Sequence, residues 1–163
     1  MSLLKNSKKS FTKDSFTEIN SNTSKLRTYA KLKSEAGFEK YIKLTENILD
    51  RTAITKLRLP NHDLMIEKGR HQGQEINQRL CPFCENSVEN EQHFLISCQN
   101  FQIHRTQFFT SITEINNEFD SLDEDGKFHF LLTNLEALKL TGSYLNKTFQ
   151  IRRFLLENYK QNG

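Results

Sequence analysis

All three cysteines of this 163-residue chain lie within 18 residues, and one histidine lies between the second and the third. The segment reads CPFCENSVENEQHFLISC, with the spacing Cys81-x2-Cys84-x8-His93-x4-Cys98. Zinc is bound by four sulfur or nitrogen ligands in a tetrahedron, and a Cys-x2-Cys turn supplies two of them. The spacing therefore predicts one structural zinc ion bound by these four residues in a knuckle of the CCHC type.

The residues between the ligands predict how the site is built. Pro82 fits a tight turn between the first two cysteines, and Asn90 is suited to cap a short helix that begins near Glu91. His93 then lies in the first helical turn. Five residues of ideal helix place His93 and Cys98 about 140° apart. We therefore expect the helix to unwind before Cys98.

Two other interpretations of the cysteines stay open from the sequence. A Cys-x2-Cys pair occurs in redox proteins, although those usually place it between a strand and a helix. Three thiols can also simply be buried. An odd number of cysteines argues against a secreted disulfide framework. Four protein ligands leave no open position for water, so we expect a structural rather than a catalytic ion.

The rest of the chain predicts a mainly α-helical fold. Apolar residues recur at helical spacing from Phe38 to Pro60, which should end the helix, and again after residue 100. Residues 61–80 are polar and predict a short strand or turn followed by a loop. Gly142 is expected to weaken the last helix.

These patterns, together with a length typical of one domain, divide the chain. The N-terminal residues are mostly Ser, Thr, Asn and Lys, which cannot bury enough apolar surface to fold. The predicted parts are a disordered basic arm or linker (1–23), a basic helical segment (24–78), a zinc module with a short β-turn (79–99) and a C-terminal helical segment (100–160), with 24–160 forming one compact domain.

Charge is unevenly distributed along the chain. Residues 1–80 hold 16 Lys and Arg against 9 Asp and Glu (+7), and residues 81–163 hold 7 against 11 (−4), which together give the net +3. A basic segment attracts polyanions, most commonly nucleic acid, although a solvated lysine-rich surface looks the same in sequence. The predicted phosphate-contacting residues are Lys25, Arg27, Lys31, Lys33, Arg51, Lys56, Arg58, Lys68, Arg70 and Arg79.

Several protein classes are disfavoured. No apolar run approaches the 18 residues of a membrane-spanning helix, and the N-terminus lacks the apolar stretch of a secretory signal. We therefore expect an intracellular protein, nuclear or cytoplasmic, without membrane or small-molecule partners. No glycine-rich phosphate loop, nucleophile elbow or converging pair of carboxylates is evident, so we expect no enzymatic activity.

Three stretches together resemble a known family. SKLRTYAKLKSEAGFEKYI, RTAITKLRLPNHDLMIEKGRHQG and RLCPFCENSVENEQHFLISC are similar to the region that follows the polymerase domain in LINE-like (non-LTR) retroelement reverse transcriptases of animals. The FHFLLTN segment and the final helix extend the resemblance over residues 24–155. The resemblance implies a zinc-binding element that helps to hold template RNA or target DNA. It also implies that Cys81, Cys84, His93 and Cys98 are the ligands.

The chain departs from that family in what it lacks. It has no YxDD-type polymerase motif and no endonuclease carboxylate set, and its spacing differs from the short retroviral knuckle. We therefore predict a non-catalytic accessory domain that binds RNA or DNA. The alternatives are a zinc-stapled protein-interaction module or an inert retroelement remnant. Phe83 is predicted either to stack on an unpaired base or to cover the metal against Phe94.

Overall fold

The structure, a computed structural model, describes residues 26–32 and 38–161, with side chains up to residue 158. The predicted arm, residues 1–23, lies outside the described residues. Within these ranges the chain is mainly α-helical, as predicted, and its paired β-structure is one isolated antiparallel bridge between Leu80 and Val88. The helices are α1 (Arg27–Leu32), α2 (Tyr41–Leu44), α3 (Ile48–Arg58), α4 (Met65–His71), α5 (Gln102–Thr113), α6 (Glu124–Thr133) and α7 (Leu135–Gln161).

Helices α3 and α7 form the central packed pair. They approach closely at Gly142, where an added Cβ would lie 3.0 Å from Ile54 Cδ1 and 3.2 Å from the Asp50 carbonyl oxygen. The final helix continues through this glycine without a break. A glycine costs about 1 kcal/mol in a helix relative to alanine, and here its missing side chain lets the two helices touch.

Phenylalanine rings fill much of the core. Phe94, Phe101 and Phe119 are completely or almost completely buried, and Phe108 stacks on Tyr144 with 4.4 Å between ring centroids. Phe108 lies in α5 and Tyr144 in α7, so this pair joins the C-terminal helices. Phe108 is therefore a core residue that links these two helices.

The predicted continuous helix from Phe38 to Pro60 is wrong, because the chain breaks between α2 and α3. Thr45 is extended, and the Asn47 side chain accepts hydrogen bonds from the backbone N–H groups of Leu49 and Asp50. Asparagine favours this capping position because its short side chain satisfies N–H groups that lack a partner in the helix. The cap restarts the helix at Ile48.

The predicted strand or turn after residue 60 is also wrong, because Met65–His71 is a helix. Its first turn is fixed by Glu89, which lies far along the sequence. The Glu89 carboxylate accepts from Met65 N at 2.7 Å, and the Glu89 carbonyl oxygen accepts from Ile66 N at 3.0 Å. A seven-residue helix is too short to be stable alone. It depends on tertiary contacts such as those with Glu89, which the local sequence does not reveal.

Candidate metal centre

Cys81, Cys84, His93 and Cys98 converge as the spacing predicts. One donor atom from each lies within 4.8 Å of all the others, and Cys81, His93 and Cys98 are buried. The Cys81 and Cys98 sulfurs are 3.8 Å apart, and Cys84 Sγ is 3.4 Å from His93 Nε2. Ligands about 2.1–2.3 Å from a tetrahedral ion lie about 3.6–3.8 Å from one another. These four residues therefore form a group that can hold a metal ion.

The first two ligands are presented by a tight turn. Glu85 N donates to the Cys81 carbonyl oxygen at 2.9 Å, and Glu85 adopts a positive φ of 54° that reverses the chain. Cys81 N donates to the Ser87 carbonyl oxygen at 2.8 Å. The bridge between Leu80 and Val88 closes the loop just outside this turn. The predicted turn module is thus present.

The other two ligands are brought together by a π-helical turn, His93–Ser97. Cys98 N donates to the His93 carbonyl oxygen at 2.8 Å, a bond between residues five apart. This wider turn sets Cys98 above His93, whereas an α-helix would rotate it about 140° away. The Asn90 side chain accepts from His93 N at 2.7 Å. Both the predicted cap and the predicted unwinding are confirmed.

Arg105 of α5 holds the end of this turn. Arg105 is 2% exposed, and its guanidinium donates to the carbonyl oxygens of Leu95 at 3.1 Å and Cys98 at 2.8 Å. The last carbonyls of a helix have no partner within it, so a buried cation satisfies them. The sequence pattern did not single out Arg105, because its burial depends on the packing of α5 against the candidate metal-binding segment, residues 81–98.

Aromatic rings cover the same segment. Phe94 packs edge-on against Phe101 with 5.1 Å between centroids, and Phe83 packs edge-on against Phe101 at 6.0 Å. Phe83 is partly buried against the core. The packing interpretation of Phe83 therefore has support, with Phe101 as the observed ring partner rather than the predicted Phe94.

The pKa values of the two buried thiols, Cys81 and Cys98, are shifted in opposite directions. The hydrogen bond with Cys98, together with burial, raises the pKa of the Cys81 thiol to about 12. The same hydrogen bond lowers the pKa of Cys98. Two thiolates this close repel each other in a buried site, so the pair retains a proton when no cation lies between the sulfurs. A metal ion bound by both sulfurs must displace that proton.

A buried ion-pair network ties α1 and α4 to the metal-binding segment. Arg27 donates to the carboxylates of Glu67 and Glu91, and Arg70 also pairs with Glu67. The His62 side chain is almost fully buried and lies 3.0 Å from Glu91. Burial raises the pKa of Glu67, but hydrogen bonds from both arginines outweigh it, and the net shift is downward. The resulting network fixes Glu91 two residues before His93.

The final helix reaches the same segment through a second buried pair. Arg152 Nη2 lies 2.7 Å from Glu89 Oε2, and both side chains are at most 2% exposed. Arg152 also contacts Asp63 Oδ2 at 3.2 Å. Glu89 and Glu91 flank the capping Asn90, so arginines from α1 and α7 both fix the entry to the metal-binding turn.

The predicted phosphate-contacting residues divide into three groups. Arg27 and Arg70 belong to the network above, Arg58 donates to Glu39 and to the Leu132 carbonyl oxygen, and Arg79 donates to the carbonyl oxygens of Ile66 and Gln74. The structure thus gives these four guanidiniums internal partners. Lys31, Lys56 and Lys68 are exposed, and the partly exposed Arg51 donates to the Ile42 carbonyl oxygen. Lys25 and Lys33 lie outside the described residues.

No helix within the described ranges combines the length and the apolar character needed to cross a bilayer. No family model, no curated protein and no solved structure matches this chain.

Proposed function

We propose that this chain is a non-catalytic, zinc-stabilised accessory domain that binds nucleic acid. The proposal places it with the region that follows the polymerase domain in LINE-like reverse transcriptases. The observation that carries it is the closed set of three sulfurs and one imidazole nitrogen inside a helical core. A metal ion held by such a set stabilises the fold, and the surface of the folded domain can then bind nucleic acid.

Zinc is the metal that best suits these donors. Three thiolates and one imidazole are typical ligands of structural zinc, and zinc accepts tetrahedral geometry without electronic cost. Carboxylates or carbonyl oxygens, which magnesium and calcium prefer, are absent from this donor set. All four positions of a tetrahedral ion are taken by protein, which leaves none for a substrate or reactive water.

Nucleic acid is the proposed partner because of the cations left over after folding. Lys31, Lys56 and Lys68 are exposed and form no ion pair with any described residue. Exposed lysines and arginines neutralise phosphates and release counterions, so the affinity depends on the number of contacts and falls with salt.

The test is a fluorescence-anisotropy titration of zinc-loaded protein with single- and double-stranded RNA and DNA. We expect micromolar binding at low salt that weakens steeply toward physiological salt. A protein that is fully zinc-loaded and folded, yet binds none of the four at low salt, contradicts the proposal.

A protein-interaction module is the second candidate, favoured by exposed apolar side chains near the start of α3. Ile48 and Leu49, in the first turn of α3, are each about 60% exposed. Contiguous exposed apolar residues often mark an interface. Ile48→Ser tests the second candidate: its affinity for nucleic acid should equal that of the parent protein, because an apolar interface contributes nothing to phosphate binding.

A further inference from the structure

A groove of about 610 Å³ lies between α3 and α7, closed at one side by the loop after α3. Its walls carry Lys56 from α3, Asn61 from the loop, and Asn146, Gln150 and Arg153 from α7. This volume is in the range of ligand-binding clefts. The wall residues are mostly polar, which distinguishes the groove from an apolar docking surface.

The groove carries positive charge that folding does not use. Lys56 and Arg153 are exposed, and neither forms an ion pair with a described residue. Arg152, the neighbour of Arg153, is buried and paired with Glu89. Asp63 also lines the groove, but its carboxylate faces Arg152 at 3.2 Å. The two cations without ion pairs therefore lie on facing helices, and Asp63 is the one carboxylate among the residues that line the groove.

Amide side chains line the wall between these cations. Asn146 Nδ2 donates to Asp50 Oδ1 at 2.8 Å, and Gln150 Nε2 donates to Asn146 Oδ1 at 2.9 Å. This chain of hydrogen bonds orients Gln150 and leaves its carbonyl oxygen without a partner among the described residues. Asparagine and glutamine amides present the donor and acceptor pairs that nucleobase edges match.

The floor of the groove rests on the metal-binding segment. Phe149 stacks on His62 with 6.5 Å between centroids and on Phe94 with 4.8 Å. Phe94 is the residue after the ligand His93. Because the Phe149 ring already stacks on two protein rings, the floor offers a supporting surface, and the polar walls offer the contacts to a ligand.

We propose that this groove binds a single strand of nucleic acid, with Lys56 and Arg153 contacting phosphates and Asn61 and Gln150 contacting base edges. This inference rests on the proposed function and locates its binding site. Paired bases of a duplex are held inside the double helix, whereas unpaired bases can enter a cleft and meet amide side chains at their edges. Phosphates on either side then meet the two cations.

The test compares two double variants with the same loss of charge. Lys56→Gln with Arg153→Gln removes both groove cations, and Lys127→Gln with Lys139→Gln removes two that do not line the groove. Zinc-loaded proteins are titrated with fluorescent single-stranded RNA and DNA at several salt concentrations. We expect the groove variant to bind about tenfold or more weakly, and its log-affinity against log-salt slope to flatten by about 1.4, or about 0.7 per lost contact. The control variant should retain most of its affinity.

The outcomes separate this inference from the proposed function. Equal effects of the two double variants, with intact binding by the parent protein, overturn the groove and leave the proposed function standing. Binding confined to duplexes also overturns the groove. No binding by the parent protein overturns both. Gln150→Ala should weaken single-strand binding without changing the salt slope, because the glutamine is uncharged, and an altered slope in this variant contradicts its assignment to base edges.

Discussion

The ring of Phe94 stacks on the ring of Phe149, with 4.8 Å between centroids and 29° between planes. Phe94 follows the candidate metal ligand His93, and Phe149 lies in α7 at the floor of the α3–α7 groove. This contact joins the candidate metal centre to the proposed binding surface. Loss of the metal should therefore loosen the groove as well as the ligand segment.

Replacing Cys84 by Ser tests the metal centre. Loss of one ligand should remove stoichiometric zinc and reduce helicity near His93, because metal binding and folding of the segment are coupled. We expect the free energy of unfolding to fall by about 3 kcal/mol, which lowers Tm by roughly 10 °C at this chain length. Metal analysis by mass spectrometry and a circular-dichroism melt measure the two effects. Ser87→Ala, an exposed change in the same module, is the control. Full zinc occupancy with an unchanged melt in the Cys84 variant would falsify the coupling.

Replacing Arg105 by Met tests the support of the metal-binding turn. The variant keeps most of the side-chain volume but leaves the Leu95 and Cys98 carbonyl oxygens without their donor. We expect this variant to bind zinc about 10–100-fold more weakly, which is the typical cost of removing a partner that orients metal ligands. Competition with a chromophoric chelator measures this affinity. His104→Ala, at the neighbouring half-buried position, serves as the control, and equal zinc affinities for the Arg105 variant and the parent would exclude the positioning role.

The lowered pKa of Glu67 predicts how the stability of the fold depends on pH in the acid range. Its pKa lies below the ordinary value of 4.5 in the folded protein, because Arg27 and Arg70 stabilise the carboxylate more than burial destabilises it. The stabilising contribution is therefore full above about pH 4.5 and is lost as pH falls through the lower folded pKa. Urea unfolding between pH 3 and 7 should show a flatter decline for Glu67→Gln than for the parent. Parallel curves for the two proteins would show that this carboxylate contributes nothing to acid unfolding.

Gly142→Ala sets two effects against each other. Alanine is about 1 kcal/mol more favourable than glycine in a helix, whereas overpacking typically costs about 1–3 kcal/mol. The new Cβ would meet Asp50 Cβ at 3.1 Å and the Asp50 carbonyl oxygen at 3.2 Å, so α3 itself has to move. We expect the free energy of unfolding, measured with urea, to fall by about 1 kcal/mol. Ser143→Ala, at the adjacent exposed position, should be neutral or slightly stabilising. A more stable Gly142 variant would show that the helices yield without cost.

Local features of this chain were predictable because they depend on neighbouring residues. The ligand spacing, the Asn90 cap and the conflict between an α-helix and the four residues separating His93 from Cys98 all act over a few positions. The same applies to the helical periodicity after residue 100. Short-range hydrogen bonding fixes these features, and the observed π-helical turn is the form that satisfies both the cap and the two ligands.

Long-range features were decided only by packing. Arg27 pairs with Glu67 across 40 positions, Arg152 with Glu89 across 63, and Arg58 reaches the Leu132 carbonyl oxygen across 74. Nothing in the sequence distinguishes the surroundings of these arginines from those of Lys56 and Arg153, whose side chains are exposed. A buried cation requires a compensating partner, and that partner is known only once the helices have come together. The charge along the chain therefore led to the prediction of a polyanion partner, whereas the fold determined which cations remain exposed.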